Sequence, residues 1–314
     1  MARKIIIGYD LERGGDDALR LGRLFAEVLA AQPIVFTSLP WPRYLMGLED
    51  LQEQVDAETR DPFAAVRDQL QDFGVETVAV ARPSASEALH EFADTEDAKM
   101  VVIGSSHRGP VGCTLTGSVG ESLLHGAPCA ITIAPRGYAD RGQAPLLRIA
   151  VAFDGSPESW TALETGIGIA ERCHGRLSVI SVADYPTYGY AAGWSLLTAD
   201  EFKDYEHEEK RRLLELALGR VSSDVGHDGR VLTGDAGSQL AEVSGDFDLM
   251  VTGSRAYGPL RRTLLGSTTR KLIAASACPV LVLPRGLGVD PLGLRVPGAA
   301  AQVSERDRVP AAVK

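Results

Sequence analysis

Apolar residues along this chain fall into two alternating kinds of run. Short stretches rich in Ile and Val are nearly unbroken, while the longer segments between them repeat their apolar positions at helical spacing. In the second half, "RIAVAF" reads as a strand and Pro157 to Cys173 as a helix with Leu163, Ile167 and Ala170 on one face. "RLSVISV" is the next strand, and Ala199 to Val221 a charged helix with Leu213, Leu216 and Leu218 near one side. "GRVLTG" is a strand and Ser238 to Ser244 a short helix. "DLMVTG" and "PVLVLP" then flank a helix from Ser267 to about Ala277. Strands apolar on both faces and separated by helices predict a parallel sheet covered on both sides. Right-handed crossovers make this a doubly wound α/β domain.

The first half repeats the second. "VVIGSSHRGPVGCTLTGSVGESLLHGAPCAITIAPRG" (Val101 to Gly137) mirrors "MVTGSRAYGPLRRTLLGSTTRKLIAASACPVLVLPRG" (Met250 to Gly286). Gly104 and Gly253 stand 149 positions apart, as do Gly117 and Gly266, Ser118 and Ser267, and Pro135 and Pro284. The openings match too: "KIIIGYD" ends at Asp10 and "RIAVAFD" at Asp154, 144 positions on, so small insertions lie between. The expected organisation is a domain over 1–137, a linker over 138–146, a second domain over 147–286, and a disordered tail from Leu287 to Lys314. The first domain follows the pattern less cleanly around Pro40, Pro42 and Pro62.

Charge narrows the partners. A formal net charge of −10 repels a polyanion, which argues against nucleic-acid binding. No run approaches transmembrane length, and "MARKIIIGYD" is too short for a signal segment, so no membrane contact and a cytoplasmic location are expected. Cys113, Cys129, Cys173 and Cys278 form no C-x-x-C pair and read as reduced thiols, with no metal site.

Candidate chemistry gathers where the winding of such a sheet reverses, beyond the carboxyl ends of the strands. With strand order 3-2-1-4-5, the first strand ending at Asp154 and the fourth ending at Gly253 flank one crevice. Gly253 and Gly266 permit close approach or positive φ. Ser267 can cap the following helix and leave its first amides for a phosphate, and Arg255, Arg261 and Arg262 add positive charge. Asp154 has the sign for ribose hydroxyls or an adenine edge. Each piece also has a structural reading: Asp154-Gly155-Ser156-Pro157 is an ordinary helix start, and glycines in a strand-to-helix connection can serve only to turn it.

Together these residues resemble universal stress protein domains, whose motif G-x2-G-x9-G-[S/T] binds ATP in one subset. The resemblance spans about residues 3–137 and 147–286 and is most specific in the blocks ending "APCAITIAPRG" and "SACPVLVLPRG". It implies two tandem Rossmann-like, adenine-nucleotide alpha-hydrolase-like domains, each a five-stranded parallel sheet. It also implies a role in stress survival and pairing through the last strands, as an intramolecular pseudo-dimer that could pair again as a homodimer. In the second domain the implied contacts are Asp154, Val182 (backbone to adenine), Gly253, Arg255, Ala256, Gly266, Ser267 and Thr268. In the first they are Asp10, Gly104, His107, Gly117 and Ser118. The motif's second glycine is replaced in both, by Ala256 and by His107. The first domain also has Leu11 and Glu12 where the second has Gly155 and Ser156, and Glu121 where the second has Arg270. A carboxylate near that helix start opposes a phosphate, so the second domain is the stronger nucleotide site. His107 reads as a loop residue filling a vacated pocket, or as a pH-sensitive imidazole.

No G-x4-G-K-[S/T], no G-x-G-x-x-G after either first strand and no G-x-S-x-G occurs, which argues against P-loop enzymes, dinucleotide dehydrogenases and α/β-hydrolases. Three readings remain: a regulatory protein binding ATP, with or without magnesium; a relative that binds no nucleotide and acts through unidentified protein partners; and a slow ATPase, for which no base or metal ligand is evident.

Overall fold

The structure is a computed structural model, and its described residues are 3–10, 15–40, 63, 75–105, 118–124, 126–142, 145–184, 199–254, 266–288 and 290–294. The first domain contributes β1 (Lys4–Gly8), α1 (Asp16–Leu29), β2 (Gln32–Pro40), β3 (Glu76–Arg82), α2 (Ala85–Thr95), β4 (Met100–Gly104), α3 (Ser118–Leu124) and β5 (Ala130–Ala134). The second contributes β6 (Arg148–Ala152), α4 (Pro157–Cys173), β7 (Arg176–Ala183), α5 (Ala199–Leu218), β8 (His227–Thr233), α6 (Ala236–Val243), β9 (Leu249–Gly253), α7 (Ser267–Ala275) and β10 (Val280–Leu283).

All ten strands form one sheet in the order β3-β2-β1-β4-β5-β10-β9-β6-β7-β8. Each half is therefore a 3-2-1-4-5 sheet, as expected. Strands within each half are parallel, and the halves join through the antiparallel pair β5 and β10, with Leu281 opposite Thr132. The pairing of last strands makes the two domains an intramolecular pseudo-dimer and leaves neither β5 nor β10 as an open edge.

Strand alternation sorts the core into two layers. Ile5 and Ile7 face the layer holding Phe25 of α1 and Leu163 and Ile169 of α4, a single apolar cluster that spans both domains. Ile6 faces the other layer with Leu123 of α3 and Leu272 and Ile273 of α7. Helices α1 and α4 lie close on their strands for the same reason in both copies. A methyl on Gly22 would fall 2.4 Å from Ile7 Cδ1, and one on Gly166 2.4 Å from Val151 Cγ2.

Two expectations are corrected. In α5 the inward face is Leu214 and Ala217, with Leu213 and Leu218 partly buried, whereas Leu216 is 58% exposed. The buried side is set by Leu214 and Ala217, three residues apart, and Leu216, two residues from Leu214, falls on the opposite side of the helix although it stands three residues from Leu213. The tail also does not begin as a disordered segment. Leu292 and Leu294 are buried, the Leu294 amide donates to Asp290 Oδ1 at 2.7 Å, and the Arg3 guanidinium donates to the Gly293 carbonyl. Leu294 fits because Gly168 of α4 leaves room; a Cβ there would lie 2.8 Å from Leu294 Cβ. Residues 290–294 thus clasp the second domain to the start of the first. Residues 295–314 lie outside the described residues.

The linker is likewise held. The Asp17 carboxylate accepts the Gly137 and Ala139 amides at 3.0 and 2.7 Å, Ala139–Arg141 forms a 3-10 turn, and Arg141 donates to the Ala277 carbonyl.

Candidate functional site

In the second domain β6 lies between β7 and β9, so the carboxyl ends of these three strands share one edge. That edge brings together Asp154 just past β6, Val182 in β7 and Gly253 at the end of β9, with α4 and α7 starting beside them. Val182 pairs with Leu232 and packs on the core layer that α7 covers. Asp154 is half-buried, and its Oδ1 accepts the Ser156 amide at 2.9 Å. Gly155 between them takes φ +84°, a left-handed backbone that favours glycine. The Ser156 hydroxyl then accepts the Ser159 amide at 3.3 Å as the cap of α4, with Pro157 in the first turn. The helix-start reading of "DGSP" is therefore correct, and one Asp154 oxygen is used in making it.

Gly253 has a packing role. A Cβ there would lie 2.7 Å from the backbone carbon, carbonyl oxygen and Cβ of Glu158, so the strand end fits beneath the first turn of α4 only as glycine. Glu158 is itself an addition to the edge that the sequence reading did not name. Its side chain is mostly buried and pairs with Arg285 at 3.3 Å, so the turn following β10 is tied to α4 by charge.

Helix α7 begins differently from expectation. Its N-cap is Gly266, at φ −60° and ψ 149°, with no side-chain hydrogen bond to the cap. Ser267 is already the first helical residue and is exposed, so its hydroxyl does not hold the capping position. Gly266 is in extended backbone open to any residue, and no positive φ is required there. The N-cap residue, having no side chain, thus offers no acceptor to the first-turn amides of α7. Thr268 is half-buried, its carbonyl 2.9 Å from where a methyl on Gly237 would sit. Lys271 is committed to Asp235, the cap of α6, at 2.7 Å; this partner, with Ser238, holds the Asp235 carboxyl down at about 2.

Arg255, Ala256, Arg261 and Arg262 lie outside the described residues, as do His107 and Gly117 of the first domain. At the first domain's equivalent edge, Asp10 is exposed and Ser118 begins α3. Among the described residues, the nearest to a methyl on Gly104 would be Ala18, at 4.0 Å. Glu121 is exposed in α3's first turn. Tyr9, where the second domain has Phe153, is buried. Burial first, and the Asp16 carboxylate next, push its phenol up to about 12.

Two hydroxyls at this edge went unnoticed in the sequence. Ser105 and Ser254 directly follow the strand-ending glycines, are 6% and 1% exposed, and their Oγ atoms have no hydrogen-bond partner. Their shared offset of 149 was the available signal.

A family model described as "Universal stress protein family" matches the chain twice, over residues 1–135 and 146–284. The chain belongs to the universal stress protein family. Its tandem organisation is shared with a universal stress protein of Mycobacterium tuberculosis, 29% identical over 299 residues, covering 89% of this chain and 99% of that one. Among solved structures, a universal stress protein from Archaeoglobus fulgidus superposes with a TM-score of 0.68 at 18% identity, covering 91% of this chain and all of that one. One from Pseudomonas aeruginosa gives 0.60 at 16% identity, with coverages of 93% and 95%. At these identities the structures establish the Rossmann-like fold and nothing of the ligand.

Among the described residues no helix is long and apolar enough to cross a membrane, and no three His, Cys, Asp or Glu side chains gather as a metal site.

Proposed function

We propose that this tandem universal stress protein is a regulatory protein that binds one adenine nucleotide, ATP, in its second domain. The observation that carries the reading is the start of α7. Its N-cap, Gly266, has no side chain to cap the first-turn amides, and the helix begins at the edge that holds Asp154 and the end of β9. A helix start of this kind attracts anionic oxygen. The residues available fit the group. Asp154 can accept from a ribose hydroxyl or adenine amine, the Val182 backbone lies one strand away, and Gly266 to Thr268 offer amides to phosphate. Arg270, in the first turns of α7, supplies positive charge on the same helix. Occupancy would then change the shape or partners of a chain whose domains share one sheet. The first domain is assigned a structural role, because Glu121 stands where the second has Arg270.

One observation favours a second reading, in which the chain binds no nucleotide and acts through protein contacts. Gly253, a motif glycine, is explained wholly by Glu158 packing, and Ala256 replaces the next one. The two readings separate cleanly. Purified protein is denatured and the released small molecules are identified by mass spectrometry, with Gly266→Trp as the blocked control. Stoichiometric ATP from the wild type and none from the variant is the expected result. An empty wild type that also gives no heat with Mg-ATP would leave the protein-contact reading.

A further inference from the structure

An open sheet ends in two outer strands, each with backbone groups on one side that no neighbouring strand bonds. The seam of β5 and β10 is closed, so here the outer strands are β3 and β8. Residues 64–74, which precede β3, lie outside the described residues, whereas β8 is flanked by α5. Among the described residues no strand pairs with the outer side of β8. Two hydrogen bonds to β7 fix which groups point that way. The Gly226 carbonyl accepts the Leu177 amide at 2.9 Å, and the Gly234 amide donates to the Ala183 carbonyl at 3.0 Å. Alternate residues of a strand bond to the same neighbour, so the even-numbered residues from Gly226 to Gly234 face β7. His227, Gly229, Val231 and Thr233 turn their amides and carbonyls outward. Side chains alternate as well. Asp228 and Arg230 share one face, where Arg230 Nε donates to Asp228 Oδ2 at 3.1 Å and the guanidinium lies over the Phe247 ring. Gly229 and Val231 lie on the other, where with Leu214 and Leu218 of α5 they line a groove of about 360 Å³ rimmed by Arg211 and Glu215. Gly229 lets α5 lie down on this edge, since a Cβ there would be 2.9 Å from Leu218 Cδ1.

We infer that this edge is the surface through which the chain pairs with a second copy of itself, β8 against β8, antiparallel about a two-fold axis at Gly229. Charge selects the register. With Gly229 opposite its own copy, the outward-bonding residues oppose one another, His227 against Val231. Asp228 then stands directly across from Arg230 of the second copy, and Arg230 from its Asp228, so the charges of both chains join in an alternating ring. An axis at Arg230 would set Arg230 against itself, and like charges directly opposite destabilise a strand pair. The helices suit the same register. Helix α5 packs over both β7 and β8. Neighbouring strands lie about 5 Å apart, so a helix over that pair comes about 10 Å from its copy, an ordinary distance for packed helices. The Leu214 and Leu218 side of each groove then meets its counterpart across the axis, with charged residues at the rim, an apolar centre within a polar border. A two-fold pairing closes on itself as a dimer and leaves β8 no open edge.

Analytical ultracentrifugation of the full chain over a concentration series tests the pairing, and a monomer–dimer equilibrium is expected. Arg230→Glu sets a carboxylate across from Asp228 and should weaken the dimer about tenfold or more. Adding Asp228→Lys to that variant should restore it, because opposite charges again face each other. Hydrogen exchange on the wild type locates the surface without any substitution. The Gly229 and Val231 amides should gain protection as the concentration rises, whereas those of Asp228 and Arg230, which already face β7, should not change. A chain that stays monomeric, a dimer that Arg230→Glu leaves intact, a double variant that does not recover, or protection that falls on β3 instead would overturn the assignment.

Discussion

The two domains are the same fold built to different tolerances at the same edge. At the end of β9 the chain has no room for a methyl, because Glu158 of α4 rests on Gly253; at the end of β4, among the described residues, the nearest to a methyl on the equivalent Gly104 is Ala18, 4.0 Å away. Past the first strand, the second domain makes the turn Asp154-Gly155-Ser156 with a hydrogen-bonded cap. The first has an exposed Asp10 and a buried Tyr9. Duplication keeps what holds the sheet together, the Gly22 and Gly166 contacts and the last-strand pairing. It lets the carboxyl edge of one copy drift. A glycine shared by two repeats therefore says nothing by itself about a ligand; what its missing side chain would touch decides that.

The largest expected difference tests this contrast directly. Gly253→Ala should destabilise the protein by about 1–3 kcal/mol, because the added methyl meets backbone that must shift. Gly104→Ala should be neutral or slightly stabilising, since no described residue lies closer than 4.0 Å to the added methyl and the unfolded chain loses freedom. Urea denaturation midpoints read both. Equal costs at the two positions would mean the edges are packed alike.

Where the copies agree, paired substitutions should give paired effects. Helices α1 and α4 both end on a non-glycine residue in left-handed backbone, Ala30 at φ 48° and His174 at φ 51°, with the amides of Ala31 and Gly175 each returning to a carbonyl 2.9 Å away. Ala30→Gly and His174→Gly should each stabilise by about 1 kcal/mol, as strain at a helix C-terminus is relieved. Unequal gains would show that the two helix ends are held by different forces.

The smallest effect appears only in alkali. The Tyr9 phenol is raised to about 12 in the folded protein, so the stability contributed by its neutral form is complete below pH 10 and lost as pH climbs towards 12. Tyr9→Phe, which gives the first domain the residue of the second, should flatten the stability profile between pH 10 and 12 and leave neutral-pH stability nearly unchanged. A profile that stays steep in the variant would place the alkaline loss elsewhere.

Much of this architecture was legible in the sequence. Nearly continuous Ile and Val runs gave the strands, and the two offsets gave the duplication. The connectivity rules for parallel sheets then gave the doubly wound form, because each of these depends on periodicity or connectivity alone, and the 3-2-1-4-5 order, taken as a condition, is the one observed. What stayed hidden depends on contacts between distant segments. The inward side of α5 was misjudged at Leu216, since four leucines within six positions do not reveal which direction faces the sheet. Leu294 appeared to belong to a disordered tail, and only the space above Gly168 explains its burial. Ser267 was expected to cap α7, but a Gly-Ser-Thr start does not reveal whether the helix begins at the serine or after it. Ser254 could not be recognised as an orphan without knowing that nothing approaches its hydroxyl.

The central claim is that the second domain alone takes a nucleotide. Its most direct test is the stoichiometry of Mg-ATP binding, measured calorimetrically on wild type, Gly266→Trp and Gly117→Trp. One nucleotide per chain, abolished by Gly266→Trp and retained in Gly117→Trp, is the predicted result. Two nucleotides per chain, or one that is lost with Gly117→Trp and survives Gly266→Trp, would contradict it.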